Sequence, residues 1–334
     1  MKNSYLNSGE QLLDAIAGRK VLVVGDIMID EYIWGDVSRM SPEAPVPIVD
    51  VQKETLRLGG AANVANNIVS LRGEVELCGL VGDDQMGRWL VKELEKKRIG
   101  RRGISFTRER PTTMKTRVIA HSQQVVRVDR EMTTPMSREE ESTMLSSVKS
   151  FLSDSGAVII SDYSKGVITP TLTKEVIRFA NEAGVPVAVD PKIQHFPTYR
   201  GVTVLTPNLL EAAAGANMVI NSIEALMEAG WRIIANMDCR YLLITRGDQG
   251  MTLFKKGGEW THIPAVGQEV YDVTGAGDTV VATLALAMAA ELEMDQCAWL
   301  ANVAAGVVVG EVGTMPITTE KMRARFRELS ALER

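Results

Sequence analysis

Short apolar runs punctuated by Gly and Asp recur along the chain, with stretches of helical periodicity between them. Lys20-Val21-Leu22-Val23-Val24-Gly25-Asp26 is apolar until its Gly-Asp end, the pattern of a buried strand feeding a loop. Similar runs occupy 157–162, 185–190, 202–206 and 241–245. Helical stretches lie between many of them, at 61–71, 86–98, 137–152, 171–183 with Gly184 as a stop, and 223–237. Strands that are continuously apolar and alternate with helices predict an α/β fold of three layers, α/β/α, around a mostly parallel sheet. Two stretches break the rhythm. Residues 46–51 and 116–129 look like strands joined without intervening helices, the second containing a hairpin-like polar centre at Ser122-Gln123-Gln124. They predict a small antiparallel β-sheet lying as a lid over the main one, with lid segments at about 31–57 and 112–130. The last third predicts helices from Gly277 to about 290, from Asp295 to about 311, and over Thr318–Leu332. Neither a repeat nor a linker interrupts the pattern, so one domain is expected over 1–334.

Composition narrows the partners. The 334 residues are 45% hydrophobic and 24% charged, which is enough to bury a sizeable core. Lys and Arg total 37 against 42 Asp and Glu, for a net charge of -5. No global basic field would draw the chain to nucleic acid or to a membrane surface, so an anionic ligand must be held by a local site. Cys78, Cys239 and Cys297 are far apart and form no CxxC pair, as expected of a reducing cytoplasm. The first ten residues are polar and unlike a signal peptide. The most apolar segment, 279–290, falls short of the roughly 20 residues that span a bilayer and reads as a buried helix.

The strongest chemical signal is Asp272-Val273-Thr274-Gly275-Ala276-Gly277-Asp278, directly followed by that apolar helix. Small residues permit close approach of backbone to ligand, and free N–H groups at a helix start attract negative charge. Gly275, Ala276 and Gly277 therefore suit an anion hole for a phosphoryl group. Asp278 either accepts the proton of an attacking hydroxyl or merely caps the helix. Gly59, Gly60 and Asn63 stand before another helix, where backbone amides and a side-chain amide can meet hydroxyls. Asp26 and Asp30 follow the first strand, at the end of a sheet where α/β folds collect ligands. Asp26 either helps there or only shapes the turn. Asn208 and Glu211, three apart after Pro207, suit either a helix start with a capping-box pair or the orientation of water around Mg²⁺. A P-loop of the G-x-x-x-x-G-K-[ST] type is missing from the sequence.

The 272–278 run resembles the C-terminal signature of the ribokinase (PfkB) family of carbohydrate kinases, and Leu58-Gly59-Gly60-Ala61-Ala62-Asn63-Val64-Ala65 resembles that family's other signature. The resemblance implies an ATP-dependent sugar kinase with Asp278 as catalytic base and Gly275 to Gly277 as anion hole. Asp30, Gly59, Gly60 and Asn63 are then expected to bind sugar. Asn208 and Glu211 match the family's N-x-x-E motif for Mg·ATP, while Thr245, Gly247 and Gly250 resemble its nucleotide-binding turn. Asn302 matches a position near adenine. Asp272 and Thr274 match positions that hold a monovalent cation in some members, so K⁺ joins ATP and Mg²⁺ as an expected ligand.

Residues 35–48, Ser161 to Gly166 and Val189 to Lys192 resemble bacterial D-glycero-β-D-manno-heptose-7-phosphate kinases. A phosphorylated sugar needs basic partners, for which Lys165 and Lys192 are the candidates, ahead of Arg117 and Arg127. Some chains of that group continue into a nucleotidyltransferase with an H-x-G-H-type motif. Here His121, His195 and His262 are isolated, and the chain is expected to perform the phosphorylation alone. Relatives of this type often pair through their lids, so a homodimer is expected.

Overall fold

In the computed structural model, residues 8–121, 123–266, 273–310 and 313–332 are described. Helix α1 (Gly9–Ala15) leads into β1 (Lys20–Gly25), and two long strands follow, β2 (Ile27–Met40) and β3 (Pro47–Gly60). Next come α2 (Ala61–Ser70), β4 (Glu74–Gly82), α3 (Gln85–Lys96) and β5 (Gly100–Thr107). After the pair β6 (Thr113–Ala120) and β7 (Gln123–Arg130), α4 (Arg138–Leu152) precedes β8 (Ala157–Ser161), α5 (Pro170–Ala183), β9 (Val187–Asp190) and β10 (Val204–Leu205). The chain continues through α6 (Leu209–Ala216), α7 (Ile223–Met237), β11 (Tyr241–Thr245), β12 (Met251–Lys255) and β13 (Trp260–Ile263). Helices α8 (Ala276–Ala289), α9 (Met294–Val308) and α10 (Thr319–Leu332) complete it.

Nine strands form one sheet in the order β13-β12-β11-β10-β9-β8-β1-β4-β5. It is parallel from β11 to β5, and the β12–β13 hairpin extends it antiparallel at one edge. Both faces are buried, which is why its strands read as unbroken apolar runs. Val21 and Val23 of β1 enter a core with α2, α8 and α9, while Leu22 and Val24 enter a second core with α4, α5 and α7. Helix α8 is buried from Asp278 to Ala289, so the apolar segment 279–290 is indeed a core helix. No helix among the described residues is long and apolar enough to cross a membrane.

The lid is a second sheet of four strands, β3-β2-β6-β7. It differs from the antiparallel sheet expected: β2 pairs antiparallel with β3, but parallel with β6. The chain returns to β6 only after crossing the main sheet through β4 and β5, so β6 enters in the same direction as β2. A single residue, Asp26, separates β1 in the main sheet from β2 in the lid. The lid ribbon ends at Gly60, whose φ of 55° and whose lack of a side chain are both required, since a Cβ would stand 2.5 Å from the Asp26 carbonyl oxygen. The Ala61 N–H then donates to that same carbonyl at 3.0 Å. Both ends of the ribbon are thereby fixed at the C-terminal edge of the parallel strands, where β8, β9 and β11 also release their loops.

Candidate active site

Helix α8 begins at Gly275, in the left-handed region at φ 82°, and Asp278 is the helix's third residue. Gly275 is the cap and the Asp278 side chain caps nothing, so the capping alternative for Asp278 does not hold. The helix's own ladder starts with Thr279 N–H donating to Gly275 O (3.0 Å), which leaves the N–H groups of Gly277 and Asp278 ahead of it. Asp278 is buried, with one carboxylate oxygen accepting from Asn63 Nδ2 (2.7 Å) and the other from the Tyr163 hydroxyl (2.5 Å). Burial pushes its pKa up to about 6, against the two donors, which favour the ionised form; Asp30 raises it further and Lys192 lowers it. A carboxylate in this state is ionised at neutral pH yet basic enough to take a proton.

Asp30, Gly59, Gly60 and Asn63 lie together on the lid side of Asp278. Asp30 is buried on β2 and paired with Arg117 Nη1 of β6 at 2.5 Å. Burial raises its pKa; Arg117, Lys115 and Arg57 oppose the rise. Gly59 is a close approach, since a Cβ there would stand 2.5 Å from Asp30 Oδ2. The Oδ1 of Asn63 is buried and accepts no hydrogen bond from the described residues, an acceptor suited to a ligand hydroxyl. Asp26 is turned away from this pocket. Its carboxylate accepts the N–H groups of Tyr163 (2.7 Å), Lys165 (3.1 Å) and Val167 (3.1 Å), so it shapes the loop after β8.

A cleft of about 820 Å³ opens on the other side of Asp278. Gly275, Ala276 and Gly277 line it, together with Lys192, Asn208, Glu211, Thr245, Gly247, Gly250 and Asn302. Asn208 and Glu211 form a reciprocal capping box at the start of α6, with Asn208 Oδ1 accepting from Glu211 N (2.9 Å) and Glu211 Oε2 from Asn208 N (3.0 Å). The capping reading and a place in the cleft are therefore both realised. Thr245 ends β11, and Gly247 and Gly250 lie in the β11–β12 hairpin connection, both at positive φ. Gly247 borders open space, whereas a Cβ at Gly250 would meet Ile263 O at 2.1 Å. Asn302 Nδ2 donates to Pro264 O (3.0 Å), fastening the cleft wall.

The two lysines part company. Lys192 Nζ sits in the cleft, 2.9 Å from Glu211 Oε1 and 5.2 Å from the centre of the Tyr163 ring. Burial works against its charge, but Asp190 and Glu211 outweigh burial and raise its pKa. Lys165 Nζ instead pairs with Glu131 at 2.7 Å and does not line the cleft. Arg127 pairs with Asp129 on the exposed strand β7. Thr274 is half-buried just before α8, and Asp272 lies outside the described residues.

Sequence reasoning misses Tyr163 and Asp190. Asp190 ends β9 in the cleft, and burial pushes its pKa up to about 8, opposed by Lys192 and reinforced by Asp278, Glu211 and Asp162. An apolar run ending in Asp, which several strands share, and a place within the 189–192 stretch are its only signals, and neither names a role for it. The described residues contain no cluster of three or more His, Cys, Asp or Glu side chains that could cage a metal ion. Asp190, Glu211 and Asp278 line this cleft with Lys192, and their oxygen donors fit a hard cation that keeps most of its ligands from phosphate and water.

The pfkB family carbohydrate kinase profile matches residues 19–321. A protein of Citrifermentans bemidjiense called bifunctional protein HldE is 43% identical over 315 residues, covering 94% of this chain and 65% of that protein. A protein of the same name from Geobacter sulfurreducens is 45% identical over 309 residues, covering 92% of this chain and 63% of that one. The chain thus spans just under two thirds of the length of these relatives. Among solved structures, phosphofructokinase-2 from Escherichia coli with substrates and products superposes with a TM-score of 0.78 at 16% identity, over 93% of this chain and 99% of that one. Arabidopsis thaliana ribokinase complexed with ribose and ATP gives 0.73 at 20% identity, over 93% and 99%. The fold is ribokinase-like, and the chain is a sugar kinase belonging to the pfkB family of carbohydrate kinases.

Proposed function

We propose that the chain transfers the γ-phosphoryl group of ATP to the C1 hydroxyl of D-glycero-β-D-manno-heptose 7-phosphate, giving the 1,7-bisphosphate and ADP, a step in ADP-heptose synthesis for the lipopolysaccharide core. The observation that carries it is the position of the Asp278 carboxylate, between the Asp30–Asn63 pocket and the 820 Å³ cleft. Support for the particular sugar comes from the resemblance of residues 35–48, 161–166 and 189–192 to heptose-7-phosphate kinases.

In this reading Asp30 and the free Asn63 Oδ1 accept sugar hydroxyls, with Gly59 and Gly60 admitting the ring close to the backbone. Asp278 takes the proton of the attacking hydroxyl. The amides at the start of α8 face the charge that develops on the moving phosphoryl group. The ATP phosphates lie in the cleft near Lys192, with the nucleoside toward Thr245, Gly247, Gly250 and Asn302. Mg²⁺, held through Asn208 and Glu211 by way of water, neutralises phosphate charge when bound, and Thr274 with Asp272 is the proposed K⁺ site. Closure of the lid excludes water and limits idle hydrolysis of ATP. The edge strand β7 of the lid also carries exposed Val126 and Val128, apolar side chains consistent with pairing of two copies.

The test is ADP release across a panel of heptose 7-phosphate, fructose 6-phosphate, ribose and nucleosides. Strong turnover of an unphosphorylated sugar with none of heptose 7-phosphate refutes the substrate. Asp278→Asn is expected to reduce kcat by about 10²–10⁴-fold with ATP binding kept, and wild-type turnover in that variant refutes the base.

A further inference from the structure

Resting on Asp278 as the base, we infer that Tyr163 is a positioning residue for catalysis: its phenol, with Asn63, orients the Asp278 carboxylate and holds it as a proton acceptor. The Tyr163 hydroxyl donates to Asp278 Oδ1 at 2.5 Å and Asn63 Nδ2 donates to Oδ2 at 2.7 Å. Each carboxylate oxygen has two acceptor directions, so each is anchored once and keeps one for the sugar hydroxyl. Tyr163 itself stays a donor. Its burial, and then the nearby carboxylates of Asp278, Asp190 and Asp30, hold its pKa well above the ordinary value of 10.0.

The surroundings of Tyr163 are built to keep the phenol in place. Below the loop, Asp26 receives three of its N–H groups, including that of Tyr163, and Ser164 N–H donates to Asp162 Oδ1 at 2.7 Å. Above it, Arg110 Nη1 donates to Lys165 O (2.9 Å) and Lys165 Nζ is paired with Glu131 beside the lid. Lys192 Nζ covers the ring. The charged and titratable groups facing Asp278 are Asp30 from β2, Tyr163 from the loop after β8, and Asp190 and Lys192 from the end of β9 and the loop after it. Tyr163 alone among them donates a hydrogen bond to the carboxylate.

Tyr163→Phe removes that donor and leaves the ring. A hydrogen bond to an ionised acceptor favours the ionised form, so its loss raises the pKa of Asp278. The base must be ionised to act, and the acid limb of the kcat–pH profile is therefore expected to move upward by about one pH unit. Turnover should fall about fivefold at pH 6 and hardly at all at pH 8, with KM for sugar and ATP within about twofold of wild type. In an Asp278→Asn background the substitution should cost nothing further. Replacing Tyr163 with 3-fluorotyrosine, a more acidic phenol of nearly the same shape, is expected to move the limb downward, and this arm serves even where the Phe variant folds poorly. An unmoved acid limb in both variants, or an equal loss at every pH, overturns the role of Tyr163. An active Asp278→Asn variant overturns the base assignment itself, which separates the two failures.

Discussion

Asp190→Asn tests the electrostatics of the cleft through stability. Asp190 lies buried at the end of β9, and its pKa stands at about 8 against an ordinary 3.8, mainly through burial. A carboxyl group whose folded pKa exceeds its unfolded one favours the folded state most below the unfolded value. That contribution is lost as pH rises through the folded pKa. Between 3.8 and about 8, at about 1.4 kcal/mol per pH unit, the ionised form would cost about 6 kcal/mol above pH 8. Coupling to Asp278 and Glu211 spreads the same proton over several carboxylates, and the variant deprives Lys192 of a counter-charge. A net gain of about 2–3 kcal/mol is the reasonable expectation for Asn, which keeps the shape without the charge. Urea unfolding of the ligand-free protein should therefore show the variant within about 0.5 kcal/mol of wild type at about pH 3.5, below the unfolded pKa, and more stable by about 2–3 kcal/mol at pH 8.5. A variant less stable than wild type at pH 8.5, or equally stabilised at both values, refutes the reasoning. Such a gain would mean that the carboxylate is retained for its ligand at the expense of the fold.

Asn208→Ala should lose about 1 kcal/mol of stability with the cap of α6, and in addition raise KM for ATP several-fold. Thr169→Ala removes the equivalent cap of α5, whose hydroxyl accepts from Leu172 N at 3.0 Å, and should match the stability loss while leaving KM unchanged; equal KM values in the two variants would make Asn208 a cap and nothing more. Gly60→Ala forces a Cβ to 2.5 Å from Asp26 O and 2.8 Å from Met28 Cε at a φ of 55°, for a loss of about 2–4 kcal/mol in chemical denaturation. A loss below about 1 kcal/mol would show that the junction of lid and main sheet gives way easily.

Alternating burial explains why much of the architecture is legible in the chain. Val21 to Val24 face two cores in turn, so the middle of β1 is an unbroken apolar run, and the same holds for Ala157 to Ile160 of β8 and Val187 to Val189 of β9. The caps of the helices are local chemistry too: Ser137 with Glu140, Thr169, and Gly184 at φ 71° mark boundaries that depend on residues within four positions. The long strand β2 is harder to see, because its outer half is exposed and its inner half continues the apolar character of β1 across Asp26. Its pairing with β6 is invisible locally, since parallel register is set by the path of the chain through β4 and β5.

The site divides in the same way. Glycines before helices at 59–60 and 275–277, and the Asn208–Glu211 spacing, announce themselves because backbone geometry restricts which residues can stand there. The sequence alone determines that Asp278 stands in the first turn of a buried helix behind a glycine. Only the tertiary structure decides that Asn63, 215 positions away, and Tyr163, 115 positions away, donate to its two oxygens. It likewise turns Asp26 toward a loop, Lys165 toward Glu131 and Lys192 toward Glu211. The reason is physical: helix and strand preferences act over a few residues, whereas the protonation state and direction of a buried carboxylate depend on whichever dipoles and charges the fold brings within a few ångströms.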